Sequence, residues 1–414
     1  MVLAVPLVYT TAVRDGFRFP KLVLCESLTL LTLALLTAAT CLTGGVNWRA
    51  AVRRPAFIAF APLTAVIATG LLTSPHQLHL RPALFSFVVG IAAILGWSSC
   101  LGFSIHRRLL AGQVAPALIL AVIGAFQFHD LYHPITYETS LGRRLTTTSL
   151  AGNPFDLAAF LVLPALVLQI ALLSGRPKKT RAFLVVALAI CIYGIVVTQT
   201  ITVVLALGGA SLLVWGRMLS RKRTAVVLGA GALLVAVGFV AAPPLRERIV
   251  VKSAAVRVGG FDELVTGRLD GWKTALWMVG ENPLTGVGHG AYRAEFANAK
   301  IALHHQGERF FVHQTRVFFA NAHNDFLEAA AEWGLLGILA AGWAAWFFGN
   351  RLITQIRCLD ASGQDGRADA TLLMAGLLAL TIMMLADFPM RIALVAYPYL
   401  LLMSAVFAEV AEPV

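Results

Sequence analysis

Residues 323–337 read HNDFLEAAAEWGLLG. Three polar residues, His323, Asn324 and Asp325, run without a break into an apolar stretch that continues to about Phe348. Asn324 and Asp325 suit a helix start, where side-chain oxygens accept from backbone N–H groups that lack a helical partner. The apolar run behind them approaches the roughly 17–25 residues that cross ~30 Å of hydrocarbon. The stretch reads as the mouth of a membrane helix with a titratable imidazole on its rim.

The rest of the chain agrees with that reading. Of 414 residues, 58% are hydrophobic and only 13% charged, with a mean hydropathy of +0.78. Soluble domains carry about 25% charged residues, so the composition excludes a water-soluble globular enzyme. A chain crossing lipid must satisfy its backbone internally, which favours helices here because barrel-type alternation is absent. Twelve candidate spans follow: 2–13, 22–42, 56–72, 83–105, 109–128, 155–173, 182–198, 201–216, 224–242, 333–349, 371–386 and 392–408. The expected fold is all-α and polytopic. Residues 1–242 form an N-terminal transmembrane bundle, 243–332 a large loop with short helices, and 333–414 the C-terminal transmembrane helices. Residues 2–13 lack a preceding basic region, do not read as a cleaved signal, and are short for a span.

Basic loops set the orientation. WRAAVRR (48–54), HRR (106–108), GRPKKTR (175–181), RMLSRKR (217–223) and NRLITQIR (350–357) fall on one side, read as cytoplasmic, with both termini. Only DGFRFPK (15–21) is basic on the opposite side. The net charge of +12 follows from this topology and gives no reason to expect nucleic acid. Residues 243–332 balance ten Lys and Arg against ten Asp and Glu. Five scattered cysteines suggest no disulfide framework, and no P-loop, CxxC or HExxH motif occurs.

His323 therefore lies on the outer face, where the long loop meets a span. Gly334-x-x-Gly337 follows, which permits close helix packing. Upstream, Asp270, Trp272, Leu276 and Trp277 pattern a short interfacial helix that Asn282 and Pro283 end. Gly286, Gly288 and Gly290 then form a tight loop able to approach a ligand through backbone N–H groups, although a lone glycine loop is more often a turn. His304, His305 and His313 have poor ligand spacing for a metal and read as part of a membrane-dipping loop. Glu26, Asp156 and Asp387 are acids in or at the ends of spans, where such groups carry functional weight.

The combination GR-xxx-W, NP-xx-GVG-x-G and HN-x9-G-xx-G resembles the O-antigen ligase and Wzy-type polymerase superfamily of polytopic inner-membrane glycosyltransferases. FRFPK (17–21), LAGNPFDLAAFLVLPAL (150–166) and DFPMRI (387–392) extend the resemblance over nearly the whole chain. At TQTITV (198–203) the chain departs from it: Thr200 and Ile201 stand where many members carry Ser-Arg.

The resemblance implies transfer of a glycan from undecaprenyl pyrophosphate to an acceptor hydroxyl of lipid A-core, or of another glycan, on the periplasmic face. His323 is the implied general base and Arg268 the first choice for the pyrophosphate, with Arg391 second. Arg143, Arg144, Asn324 and Gly288 are the further candidates for binding pyrophosphate or glycan. Arg309 and Arg316 are weaker, since interfacial arginines more commonly bind lipid headgroups. No cofactor or metal is expected, because arginines can neutralise the leaving phosphate. Membrane lipids are the other expected partners. The alternatives are a Wzy-type polymerase or protein O-oligosaccharyltransferase, a transporter of lipid-linked sugar, and a non-catalytic envelope scaffold.

Overall fold

The computed structural model describes residues 3–10, 12, 15–42, 54–133, 147–175, 177–226, 229, 250, 254, 268–310 and 319–408. Arg143, Arg144, His313, Arg316 and nearly all of the candidate span 224–242 lie outside the described residues. The described residues are helical throughout, with no strand. The helices are α1 (Arg18–Leu42), α2 (Pro55–Thr73), α3 (Gln77–Cys100), α4 (Phe103–Gly112), α5 (Val114–Phe128), α6 (Pro154–Leu173) and α7 (Lys178–Val197). They continue as α8 (Ile201–Met218), α9 (Arg268–Glu281), α10 (Tyr292–His305), α11 (Asp325–Ala361), α12 (Gln364–Met384) and α13 (Ala393–Phe407). Among the described residues, nine helical stretches are long and apolar enough to cross a membrane, with α4 and α5 forming one of them. Helix α13 is apolar but shorter. The protein is a multi-pass membrane protein.

Helix α6 is the axis of the bundle. It packs against α5, α7, α8, α12 and α13, and its apolar residues are buried on every side, as expected of a helix that is hydrophobic all round. Pro154 occupies its first turn, where a missing N–H costs nothing, and the Asn153 side chain accepts from Phe155 N at 2.8 Å. Peripheral helices instead expose Leu35, Leu205 and Leu339. That apolar rim calls for lipid, not water, outside it.

Residues 2–13 do not form a span. The described part holds only a three-residue 3-10 turn, Val5–Leu7. The physical reason is Lys21 in the first turns of α1. Its buried ammonium donates to the carbonyls of Val8 (2.7 Å), Phe17 (3.1 Å) and Leu150 (2.7 Å), which pins residues 3–10 beside the start of α1. That end of α1 is also the His323 end of the bundle, so these residues lie there and not with the basic loops. The exception at DGFRFPK is thereby explained. Its charges are fixed in place, Lys21 on three carbonyls and Arg18 on Asp156.

Helix α11 is broken at Gly334 (φ 60°, ψ −166°). Leu335 N and Leu336 N, freed from helical partners, donate to the carbonyls of Pro283 and Leu284 at 2.8 and 3.1 Å. A Cβ on Gly334 would sit 2.5 Å from Gly286 N, and one on Gly286 would sit 2.4 Å from the Glu332 carbonyl carbon. Both residues have positive φ, so glycine is required on both sides of the contact. The spacing predicts close helix packing by Gly334 and Gly337. Instead, Gly334 packs the 283–286 turn into a kink, and Gly337 lies beneath its own neighbour Trp333.

Candidate active site

Four chain segments converge at the His323 end. They are the start of α9, the 283–291 turn, the start of α11, and the 385–392 link before α13. Asn324 caps α11 as its sequence indicates, its Oδ1 accepting from Phe326 N and Leu327 N, each at 3.0 Å. Its Nδ2 donates to Leu385 O at 3.0 Å, which ties the α11 start to the link. Such a cap contributes about 1 kcal/mol.

His323 precedes this cap in the left-handed region, with φ 55°. Non-glycine residues there store strain, and such strain clusters at functional sites. Here the strain is held by Glu328, whose carboxylate accepts from Ala322 N at 2.7 Å and from Asn321 Nδ2 at 3.0 Å. The Trp272 indole adds a contact to His323 O at 3.5 Å. The imidazole packs edge-on between Phe319 and Phe388, with centroid distances of 5.7 and 5.0 Å.

The polar centre is Asp387, which is 3% exposed. Both its oxygens accept from Arg268 Nη2 at 3.0 Å, and Oδ1 faces His323 Nδ1 at 3.3 Å. A carboxylate that already accepts from a guanidinium offers the imidazole only an acceptor. In a neutral ring Nδ1 is then the nitrogen that bears the hydrogen and Nε2 the one with the lone pair. The His323 and Arg268 side chains are 27% and 25% exposed. One buried carboxylate thus holds an imidazole and a guanidinium side by side at an accessible face.

A second ionic group lies behind the first. Arg391 Nη2 pairs with Glu328 Oε1 at 3.1 Å and makes a short contact with Glu332. Glu332 also faces His289 Nδ1 at 3.1 Å and accepts from Tyr292 N at 3.3 Å. The Trp333 indole donates to His289 Nδ1 at 3.0 Å. Burial holds His289 below the ordinary histidine range, against the pull of Glu332. Burial pushes the Tyr292 phenol up, and its hydroxyl is shared with Thr274 and Gly271 O.

The structure therefore brings His323, Arg268 and Asn324 together around Asp387. Arg391 is nearby, but its charge is matched by two glutamates. The Gly288 N–H donates to Glu332 O at 2.9 Å, so its amide serves α11. His304, His305 and Arg309 are exposed at and beyond the end of α10. Thr200 is buried at the start of α8. Among the described residues no group of three or more His, Cys, Asp or Glu side chains is placed to hold a metal ion. An apolar cavity of about 540 Å³, lined by Val5, Leu36, Trp97, Tyr397 and Leu401 among others, lies between α1, α3 and α13. None of its lining residues belongs to the His323 site.

Reading the sequence alone left Asp387 without its role as shared acceptor and missed Glu328 and Glu332. The signal for the glutamates was present. Two acids four residues apart at the start of an apolar helix lie on one face and need a cation.

Residues 186–342 match the O-antigen ligase family. The O-antigen ligase match begins within α7 and ends within α11, beyond the break at Gly334. It takes in Arg268, Gly288, His323 and Asn324, while Asp387 and Arg391 lie beyond it. It supports the superfamily resemblance read from the motifs, and with it a glycosyltransferase of ligase or polymerase type. Comparison with curated proteins finds no match.

Proposed function

We propose that this protein moves a glycan from undecaprenyl pyrophosphate to a sugar hydroxyl of lipid A-core. The reaction takes place at the periplasmic face of the bacterial inner membrane. The observation that carries this reading is the single carboxylate, Asp387, shared by His323 Nδ1 and Arg268 Nη2. Sugar hydroxyls are weak nucleophiles at neutral pH, and a base with a pKa near the working pH removes their proton as the new bond forms. His323 Nε2 takes that proton. The acceptor oxygen bonds the anomeric carbon while the bond from that carbon to the pyrophosphate oxygen breaks. The electron pair leaves on phosphate, where Arg268 meets the growing negative charge. Asp387 keeps the imidazole in the productive tautomer and stabilises it once protonated, as an acid partner does for a catalytic histidine elsewhere. The apolar cavity beside α1 and α13 offers a surface for the isoprenoid chain. Residues 268–310 and 319–332, the described part of the long loop, face the acceptor.

A lipopolysaccharide gel from a deletion strain, complemented with wild type or His323→Ala, tests the reading. The expected result is full-length ligated chains with wild type only, and lipid-linked glycan accumulating with His323→Ala at normal expression. Equal rescue by both versions sinks the mechanism. Single repeats still attached to core in the deletion strain would assign a polymerase instead. Arg268→Lys should be nearly as damaging as Arg268→Ala, because an ammonium lacks the planar fork that engages phosphate oxygens. Full activity with lysine would reduce the role of Arg268 to simple charge.

A further inference from the structure

Arg18, in the first turn of α1, belongs to none of the groups described so far as part of the site. Its Nε and Nη2 donate side-on to Asp156 Oδ2 and Oδ1 at 2.6 and 2.8 Å. Asp156 is completely buried at the start of α6, whereas the Arg18 side chain is 35% exposed. A guanidinium has five N–H donors. Side-on pairing uses two and leaves the opposite edge without a further partner among the described residues. The carboxylate fixes the plane of that edge, so little rotational freedom remains to be lost when it binds an anion.

The direction is given by Phe388. Arg18 Cζ lies 5.7 Å from the centroid of that ring, and the His323 ring lies 5.0 Å from it on its own account. Phe388 directly follows Asp387, which holds Arg268. Two arginines from distant parts of the chain are thus each anchored by a buried aspartate, Arg18 beside the Phe388 ring that packs on the imidazole and Arg268 on the Asp387 that precedes that ring. Each keeps about a quarter to a third of its side chain exposed. An ion pair needed only to bury Asp156 gains nothing from this placement, which sets a second fixed cation against the ring that packs on His323.

We infer that Arg18 is a second diphosphate-binding residue, which with Arg268 spans the two phosphates of a polyprenyl diphosphate. The inference rests on the glycosyl-transfer reading above and names the partner of its leaving group. Lys21, three residues on, takes no part, since its ammonium is consumed by three carbonyls. The shared chemistry, a lipid-borne phosphate, also occurs in anionic headgroups, and the test separates the two sources.

Binding of farnesyl diphosphate to the full chain in detergent micelles is measured alongside thermal unfolding and binding of phosphatidylglycerol. The double change Arg18→Gln with Asp156→Asn removes both charges together and leaves no buried carboxylate unpaired. It should unfold at the wild-type temperature, bind farnesyl diphosphate roughly ten- to one-hundred-fold more weakly, and bind phosphatidylglycerol unchanged. Arg18→Lys, which keeps a cation for Asp156 and so guards against misfolding, should weaken farnesyl diphosphate by several-fold. Wild-type affinity in both variants overturns the inference, as does a loss confined to phosphatidylglycerol. If Arg268→Gln weakens binding while both Arg18 changes leave it intact, Arg18 alone is removed. If wild type binds farnesyl diphosphate no better than farnesol, the donor chemistry fails with it.

Discussion

Two clusters at the same end of the bundle use the same residue types to opposite ends. In one, Asp387 joins His323 and Arg268. In the other, Glu332 joins His289 and Arg391. The first histidine is about a quarter exposed, with one nitrogen on a carboxylate and the other open. The second is 7% exposed, and its Nδ1 is enclosed by Trp333 and Glu332. The lesson is that an acid, a histidine and an arginine in proximity do not by themselves make an active site. Access and an unused nitrogen decide it. The first cluster is open to solvent, and the second fixes the turn on which the first stands.

The sharpest way to break this contrast is Asp387→Asn. The amide removes the negative charge and one of the two acceptor oxygens, and its NH2 group cannot accept from His323 Nδ1 or Arg268. Turnover should fall roughly 10²- to 10⁴-fold with little change in unfolding temperature, measured with purified protein and lipid-linked glycan. Turnover within a few-fold of wild type would show that the shared carboxylate is not part of the chemistry. Glu332→Gln probes the other cluster and should act on stability. It weakens the Arg391 and His289 contacts while Glu328 still pairs with Arg391, a loss of about 1–3 kcal/mol for a weakened buried charged hydrogen bond. The unfolding midpoint should drop clearly, and protein that remains folded should retain most of its turnover. A selective loss of turnover at an unchanged midpoint would move Glu332 into the catalytic group.

The smallest effect concerns His289. With its ring held below the ordinary histidine range, the unfolded chain takes up the proton first as pH falls. Stability is then fully present above the ordinary histidine value of about 6.5 and declines below it. His289→Gln keeps an acceptor for Trp333 and removes that titration. Its unfolding midpoint should fall less steeply than that of wild type between about pH 7.5 and 5.5. Parallel slopes would assign the pH response to other groups, with the neighbouring Glu332 the first to examine.

Much of the fold could be read from composition, because long apolar runs in a chain with few charges have few alternatives. Residues 2–13 were the exception. Their apolarity resembles that of a span, but Lys21 captures Val8 O, and no periodicity in the sequence announces that bond. At the site, local motifs pointed to His323, Arg268 and the Asn324 cap. The pairings did not follow, because they join residues 64 and 119 positions apart. Gly288 and Arg391 carry suitable donors for phosphate, yet Gly288 gives its amide to Glu332 O and Arg391 faces two glutamates. Which donors remain available is a property of the assembled structure.

The break at Gly334 has a mechanical consequence. A continuous 37-residue helix would act as a stiff lever, and any tilt of its lipid-embedded length would sweep His323 through space. Because the outer arm, residues 325–333, is stitched to the turn at 283–288, it moves with the loop and not with the shaft below. Thinning or thickening of the surrounding bilayer can reorient the inner arm about this joint while the imidazole keeps its register with Asp387. The joint acts as a vibration mount, isolating the His323 end from the medium that carries the protein.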